Sequence, residues 1–402
     1  MSTTTEQLLD FVPIQQQAEI TNLFHATTKA INNGIVESTL RERMRFFRAW
    51  TQWLAIKFPK VQSDLQNVNR KAQLDLLASF ACYVRQGSVS RKTQQVRAQT
   101  VAVALRSIST QLQLDGKQNP LVNSEGKYPK AISQILEGFR RDDSPTQPML
   151  AVPLSVPVYL LSAAKRKSKK DKAVADLAIV AFYFLLCVGE YTYHKKSDRR
   201  RTKQFRTNDI ALWHNNTRLN PFLPEEELIR LCTSATLSIS NQKNGKRSQV
   251  IHHETTNTDS CPIRALIRRL KHIQQYTNDN AIIGSYFSSK HATVRTTLAS
   301  DMNKAVKTAV EDLGLQRFGL HAIHVGSHSL RAGGAMAMHL AGVAHSIIKK
   351  MGRWSSDTFL MYIHEQIAAL SSGVSKQMSQ SFEFHNIAFQ PTHGPMLHSA
   401  AA

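Results

Sequence analysis

The chain has 402 residues, 42% hydrophobic and 20% charged, a balance that excludes a disordered protein and a length that exceeds one ordinary core. Lys and Arg total 51 against 29 Asp and Glu, and the resulting formal charge of +22 singles out a polyanion as partner, with double-stranded DNA or another nucleic acid ahead of an anionic membrane. The longest fully apolar run, 177–188, is well short of the roughly 20 residues that span a bilayer, so no membrane is expected as partner; no small-molecule substrate is expected either.

The opening MSTTTEQLLD has neither the basic start nor the apolar stretch of a secretory signal, so no export is expected. Residues 1–35 form an N-terminal segment. From Ser38, STLRERMRFFRAWTQWLAIKF places Leu40, Met44, Phe47, Trp50 and Leu54 on one helical stripe, with Arg41, Arg45 and Arg48 on the stripe beside it. That basic stripe is either a solvated face or a set of phosphate contacts. Further helices are predicted over 71–86, 91–114 and 128–139, and no strand periodicity occurs before residue 150, so 36–145 is predicted to be a compact helical bundle. RRDDSPTQP, 140–148, has the composition of a linker.

Beyond it, a helix over 156–164 runs into the basic block KRKSKKDK, and a nearly all-apolar buried helix is predicted over 171–188. A short strand near 205–212 precedes ATLSIS and SQVIHHE, which alternate around NQKNGKR, where Asn244-Gly245 signals a hairpin turn. Cys261-Pro262 opens a helix, and helices are expected from there to about residue 372, before a tail over 371–402 without periodicity. The four cysteines, Cys82, Cys187, Cys232 and Cys261, include no C-x-x-C pair, which fits a reducing compartment and argues against disulfides. His252 and His253 with Cys261 lack a fourth nearby ligand, so no metal and no cofactor are expected.

The richest text is HVGSHSLRAGGAMAMHLAGVAHSIIKKMGRWSSDTFLMYIHEQ, 324–366. His328 and Arg331, three apart at a helix start, share a face suited to an anion. Gly342 and Gly352 stand where helices end, dividing the text into three short helices. In the last of these Phe359, Ile363, Gln366, Ile367 and Leu370 make the inward stripe, and Tyr362 lies roughly 80° off its centre, with its hydroxyl accessible. Taken singly, Tyr362 reads as packing, and His328 with Arg331 as a cap and an ion pair.

Together these residues resemble the carboxyl-terminal signature of the tyrosine recombinase (phage integrase) family. That signature is H-x-x-R, then a glycine followed closely by His or Trp, then the nucleophilic tyrosine, often as Y-x-H. Here the matching residues are His328, Arg331, Trp354 after Gly352, and Tyr362 with His364. The wording HSLRAGGA and MGRWSSDTFLMYI is most similar to crypton-like eukaryotic mobile-element recombinases. The resemblance implies a mainly α fold with a small β-sheet: a helical core-binding domain over 36–145 that clamps DNA, followed by an α+β catalytic domain over 150–370. It implies DNA cleavage and rejoining through a 3′-phosphotyrosyl link, without metal or cofactor, by a chain that self-associates as a tetramer on DNA and, with KRKSKKDK as import signal, works in the nucleus.

Carried over by motif, Tyr362 is the nucleophile, Arg331 holds a non-bridging oxygen, His328 assists proton transfer, and Trp354 packs the site. A hairpin lysine protonates the leaving oxygen, Lys243 by preference and Lys246 as alternative. Arg41, Arg45, Arg48, Arg91, Lys92, Lys246 and Arg247 are the expected DNA contacts. The family's first arginine lies in a text of the form R-x-x-E, and in FLLCVGEYT Glu190 is in register while Cys187 stands where that arginine belongs. Loss of one charged donor at a phosphoryl-transfer site costs at least ~10²–10³ in rate, so a weakened enzyme competes with a catalytically degenerate DNA-binding protein of mobile-element origin. A type IB topoisomerase, which shares the nucleophile, is disfavoured by the helical first domain.

Overall fold

A computed structural model describes residues 7–35, 37–90, 94–123, 125–145, 149–193, 204–239, 249–256, 258–354, 356 and 360. Outside these lie Tyr362 and the helix expected around it, the hairpin tip with Lys243, Asn244, Gly245, Lys246 and Arg247, and Arg91 with Lys92. The described chain is mainly helical with two small antiparallel sheets, and its buried side chains form two large clusters.

The first cluster belongs to helices α2 (Glu37–Lys57), α3 (Arg70–Arg85), α4 (Ala98–Leu114) and α5 (Lys130–Asp142). Helix α1 (Ile14–Asn33), in a segment for which no element was expected, precedes them and buries none of its residues. The inward stripe of α2 is Phe46, Trp50, Trp53 and Leu54, with Arg43 also buried, whereas Leu40, Met44 and Phe47 are half-buried. Trp50 meets Phe80 edge-on at 5.2 Å, and its indole N–H donates to Ser63 O at 3.0 Å. A buried indole needs such a partner, which fixes the loop after α2.

Two boundaries differ from expectation. Helix α4 starts at Ala98, not at residue 91, because Asp143 reaches back to cap it. The Asp143 carboxylate accepts the Ala98 N–H at 2.9 Å and pairs with Arg85. That guanidinium holds Asp143 below the usual carboxylate range. The expected linker therefore begins later than residue 140: Arg140, Arg141 and Asp142 complete α5, and Asp143 is tied to the first cluster.

The second cluster surrounds α7 (Lys169–Tyr183), which packs against α6 (Ser155–Ala164), α9 (Pro262–Gln274), α10 (Ala299–Asp312) and α11 (Ser327–Leu340). Ser168 and Asp171 close a capping box at its start. Its end is earlier than the apolar run suggested. The chain turns at Leu185, whose φ is 49°, and Leu186 N–H donates back to Ala181 O at 3.0 Å. Such a reversal satisfies the last carbonyls of a helix and stops it. Apolar residues continue past Tyr183 because the turn is itself buried, with Phe184, Leu185 and Leu186 all at 1% exposure or less.

The main sheet has the order β2-β1-β3-β4, from β1 (Ile210–His214), β2 (Thr217–Arg218), β3 (Ser234–Ile239) and β4 (Gln249–Glu254), with a short helix α8 (Glu225–Leu231) before β3. β3 and β4 pair antiparallel with Leu237 opposite Ile251, as their alternation predicts. The expected strand near 205–212 starts only at Ile210, after a 3₁₀ turn over Thr207–Asp209. The hairpin β5 (Ser285–Ser288) with β6 (Thr293–Thr296) interrupts the run that helices were expected to dominate. Its anchor is Arg269 on α9, 1% exposed, which donates to Ile283 O and Ser285 O. Helix α12 (His345–Met351) follows α11 through Gly342, which adopts φ 76° as a helix-terminating glycine should.

Candidate functional site

The site is assembled where α11 lies on α7 and on the turn that ends α7. Two adjacent glycines allow the approach. A Cβ on Gly333 would stand 2.1 Å from Val152 O, and one on Gly334 would stand 2.0 Å from Phe182 O. Only bare backbone fits there, so the first turns of α11 are pressed against the end of α7. Asn303 Oδ1 accepts the Ser327 N–H at 2.6 Å and fixes the start of the helix.

Arg331 projects inward from this helix and is 6% exposed. Its Nη1 donates to Cys187 Sγ and its Nη2 to Gly352 O, and its guanidinium carbon stands 4.5 Å from the Trp354 ring centroid. The indole face is the negative side of the ring quadrupole and so suits a cation. Trp354 in turn rests on Gly352, where a Cβ would fall 1.6 Å from a ring carbon. The structure thus brings Arg331, Trp354 and Cys187 together, and His328 stands on the same helix, one turn before Arg331.

Protonation follows from these surroundings. Burial pushes the His328 imidazole below its ordinary value, and the charge of Arg331 pushes it further the same way, so the ring is neutral at pH 7 and able to accept a proton. Burial raises the Cys187 thiol, against the pull of Arg331, and Glu190 adds to the rise. A neutral thiol in this place is neither an activated nucleophile nor a ready metal ligand. Among the described residues no cluster of His, Cys, Asp or Glu could hold a metal ion. His253 is engaged elsewhere, its Nε2 lying 2.8 Å from Tyr183 O.

One residue of the site escaped the sequence reading. Gly352 ends α12 with an ordinary right-handed conformation, and the left-handed position falls on Arg353, at φ 59°. A non-glycine residue in this region is uncommon and costs energy. Its effect is to turn the Arg353 side chain into the protein, 7% exposed, where Nη2 donates to Glu190 Oε2 at 2.8 Å and to Leu185 O at 3.2 Å. Glu190 Oε2 also accepts the Cys187 N–H at 2.8 Å. The available signal was an arginine inside the motif text, between Gly352 and Trp354, but periodicity gives no reason to bury a guanidinium.

The charges do not balance. Among the described residues Arg331 and Arg353 contribute two positive charges and Glu190 one negative, while His328 and Cys187 are neutral at pH 7, leaving an excess of one. Among the described residues Arg331 Nε and Arg353 Nη1 are buried without a hydrogen-bond partner. A buried cation lacking an anion is costly, and the arrangement is chemically suited to receiving one.

In the first cluster, Arg45 and Arg48 line an open cavity of about 440 Å³ with Trp53, Lys57 and Tyr83, a basic hollow with an aromatic wall. Arg41 pairs with Glu37 at 3.0 Å on the same helix.

No family model and no curated protein matches the chain. Among solved structures it is similar to the XerH site-specific recombinase bound to difH substrate in a pre-cleavage complex, at 15% identity and TM-score 0.44, over 82% of this chain and 76% of that one. It is also similar to the Tn1549 transposon integrase in complex with transposon right end DNA, at 10% identity and TM-score 0.43, over 83% and 99% of the two chains. A lambda integrase dimer bound to a COC' core site gives 14% identity and TM-score 0.42, over 86% and 94%. These neighbours are a site-specific recombinase and two integrases.

Proposed function

We infer that this chain is a DNA-binding tyrosine recombinase, cleaving and rejoining DNA through a 3′-phosphotyrosyl intermediate. The observation that carries the reading is the buried guanidinium of Arg331, one helical turn after a neutral His328 and stacked on Trp354, with a positive charge unmatched among the described residues. A phosphodiester is the anion that such a set meets in a protein of charge +22.

In the proposed reaction the Tyr362 oxygen bonds to phosphorus as the bond from phosphorus to the 5′ oxygen breaks. His328 takes the phenol proton, a lysine of the β3–β4 hairpin protonates the departing oxygen, and Arg331 neutralises charge on the phosphorane. Attack by a 5′-hydroxyl on the phosphotyrosine reverses the sequence, so bond energy is conserved. Arg45 and Arg48 are proposed as backbone contacts, and their cavity opens to solvent as that requires. A tetramer on two duplexes, work in the nucleus and origin in a crypton-like element extend the same reading.

Cys187, where the motif has arginine, favours the second reading: a DNA-binding protein that kept the architecture and lost the chemistry. A pool of nicked duplexes of random sequence separates the two. The nick lets the cleaved end diffuse away, so an active chain accumulates a covalent adduct that survives denaturation, and Tyr362→Phe accumulates none. No adduct from the unaltered chain on any duplex, with retained binding to DNA, refutes the enzyme.

A further inference from the structure

We propose that Arg353 supplies the guanidinium missing at position 187, donating to a non-bridging oxygen of the scissile phosphate beside Arg331. This rests on the recombinase reading above and names how that site could work without its first arginine.

Three independent observations point to Arg353. Its guanidinium is brought to the turn that carries Cys187, because its Nη2 bonds both Leu185 O and the carboxylate of Glu190, which itself holds the Cys187 N–H. Position 187 bears only a short thiol, which makes no claim on Glu190 through its side chain, so the carboxylate that the motif sets three residues after its arginine orients a different one. Second, Arg353 Nη1 has no partner among the described residues inside a side chain only 2% exposed, and Nε of Arg331 has none either, so each guanidinium keeps a donor for an incoming acceptor. Third, the inward turn is purchased with a left-handed backbone that only glycine adopts freely, and strain of this kind persists where surrounding contacts impose it.

The geometry also links the two arginines. Arg331 Nη2 bonds the carbonyl of Gly352, the residue immediately before Arg353, so the backbone that presents one guanidinium is held by the other. A solvated arginine on the exposed end of α12 would have neither this tether nor the Glu190 partner. Two guanidinium groups then face one phosphate, and the excess positive charge of the site is cancelled on binding.

The test uses the full chain on a duplex recovered as an adduct from the random pool. Arg353→Gln should slow adduct formation by ~10²-fold or more, and adding Cys187→Arg to that variant should restore it to within about tenfold, because the arginine returns on the other arm. On the same duplex with a methylphosphonate at the scissile position, where the non-bridging charge is removed, the deficit of Arg353→Gln should largely vanish. If Arg353→Gln fails to fold, Glu190→Gln with Arg353→Gln removes both buried charges and carries the same comparison. A folded Arg353→Gln chain that forms adduct within about threefold of the unaltered one overturns the proposal and leaves the recombinase reading standing. A deficit equally large on phosphate and methylphosphonate overturns it too, because Arg353 then only holds the structure. Absence of adduct from the unaltered chain on every duplex removes the parent reading, and this proposal with it.

Discussion

The pair formed by Glu190 and Arg353 sets a sharp energetic test. Their side chains are 5% and 2% exposed, and the contact is 2.8 Å. In Glu190→Ala the guanidinium stays buried with only Leu185 O as a described acceptor, and the Cys187 N–H loses its carboxylate. Breaking a buried pair from one side costs ~3–5 kcal/mol, chiefly the penalty of the orphaned charge. Arg353→Met strands the carboxylate instead and should cost a similar amount. Removing both partners strands neither charge, so the double variant should be markedly more stable than the sum of the single losses implies. Urea unfolding followed by circular dichroism gives the three values, and the double-mutant cycle gives the coupling. A loss below about 1 kcal/mol for Glu190→Ala, or strict additivity in the cycle, would mean that the pair is solvated and that the site lacks the buried charges described above.

Gly334→Ala should destabilise the chain by ~1–3 kcal/mol, because its Cβ would enter Phe182 O and force α11 away from α7; thermal unfolding reads this, and an unchanged midpoint would refute the contact. Tyr191→Phe should be neutral or stabilising, since the Tyr191 hydroxyl is buried with no hydrogen-bond partner among the described residues; a clear loss in the same assay would reveal one. His272 gives a pH dependence. Burial, then Arg269, Lys169 and Lys172, hold its imidazole down to about 4, and its Nε2 accepts the Phe287 N–H. The unfolded ring takes a proton near pH 6.5 and the folded ring only near 4, so this contribution is complete above about 6.5 and is lost as pH falls toward 4. His272→Gln should flatten the loss of stability across that window, and an unaltered slope would count against the neutral ring.

Much of the architecture was legible because it follows from periodicity. The helices α2 and α3 themselves, with Trp50 and Leu54 inward as the α2 stripe predicts, the alternation of β3 and β4, and Pro262 at the start of α9 each express a local rule that tertiary packing respects. The boundaries that failed were set by distant residues: Asp143 caps α4 across 45 positions, and a buried turn at Leu185 ends α7 inside an unbroken apolar run. The β5–β6 hairpin was missed because its fastening is an arginine on another element, Arg269. At the site, His328, Arg331 and Trp354 were singled out by their resemblance to a family motif, whereas Arg353 was not. Its burial depends on a backbone conformation that spacing does not encode. Tyr362, Lys243, Lys246, Arg247, Arg91 and Lys92 fall outside the described residues, so their parts in the site stand as proposals.

The two large hydrophobic clusters bear on unfolding. Trp50 and Trp53 belong to one, whereas Trp213 stands on β1 in the other half, where Trp354 packs on a third, small cluster of Leu185, Ala335, Met336 and Ile348. If each cluster melts cooperatively by itself, denaturation proceeds in two waves with distinct fluorescent reporters, and a single free energy describes neither. Substitutions around Glu190 should then displace the second wave and leave that of Trp50 and Trp53 where it was.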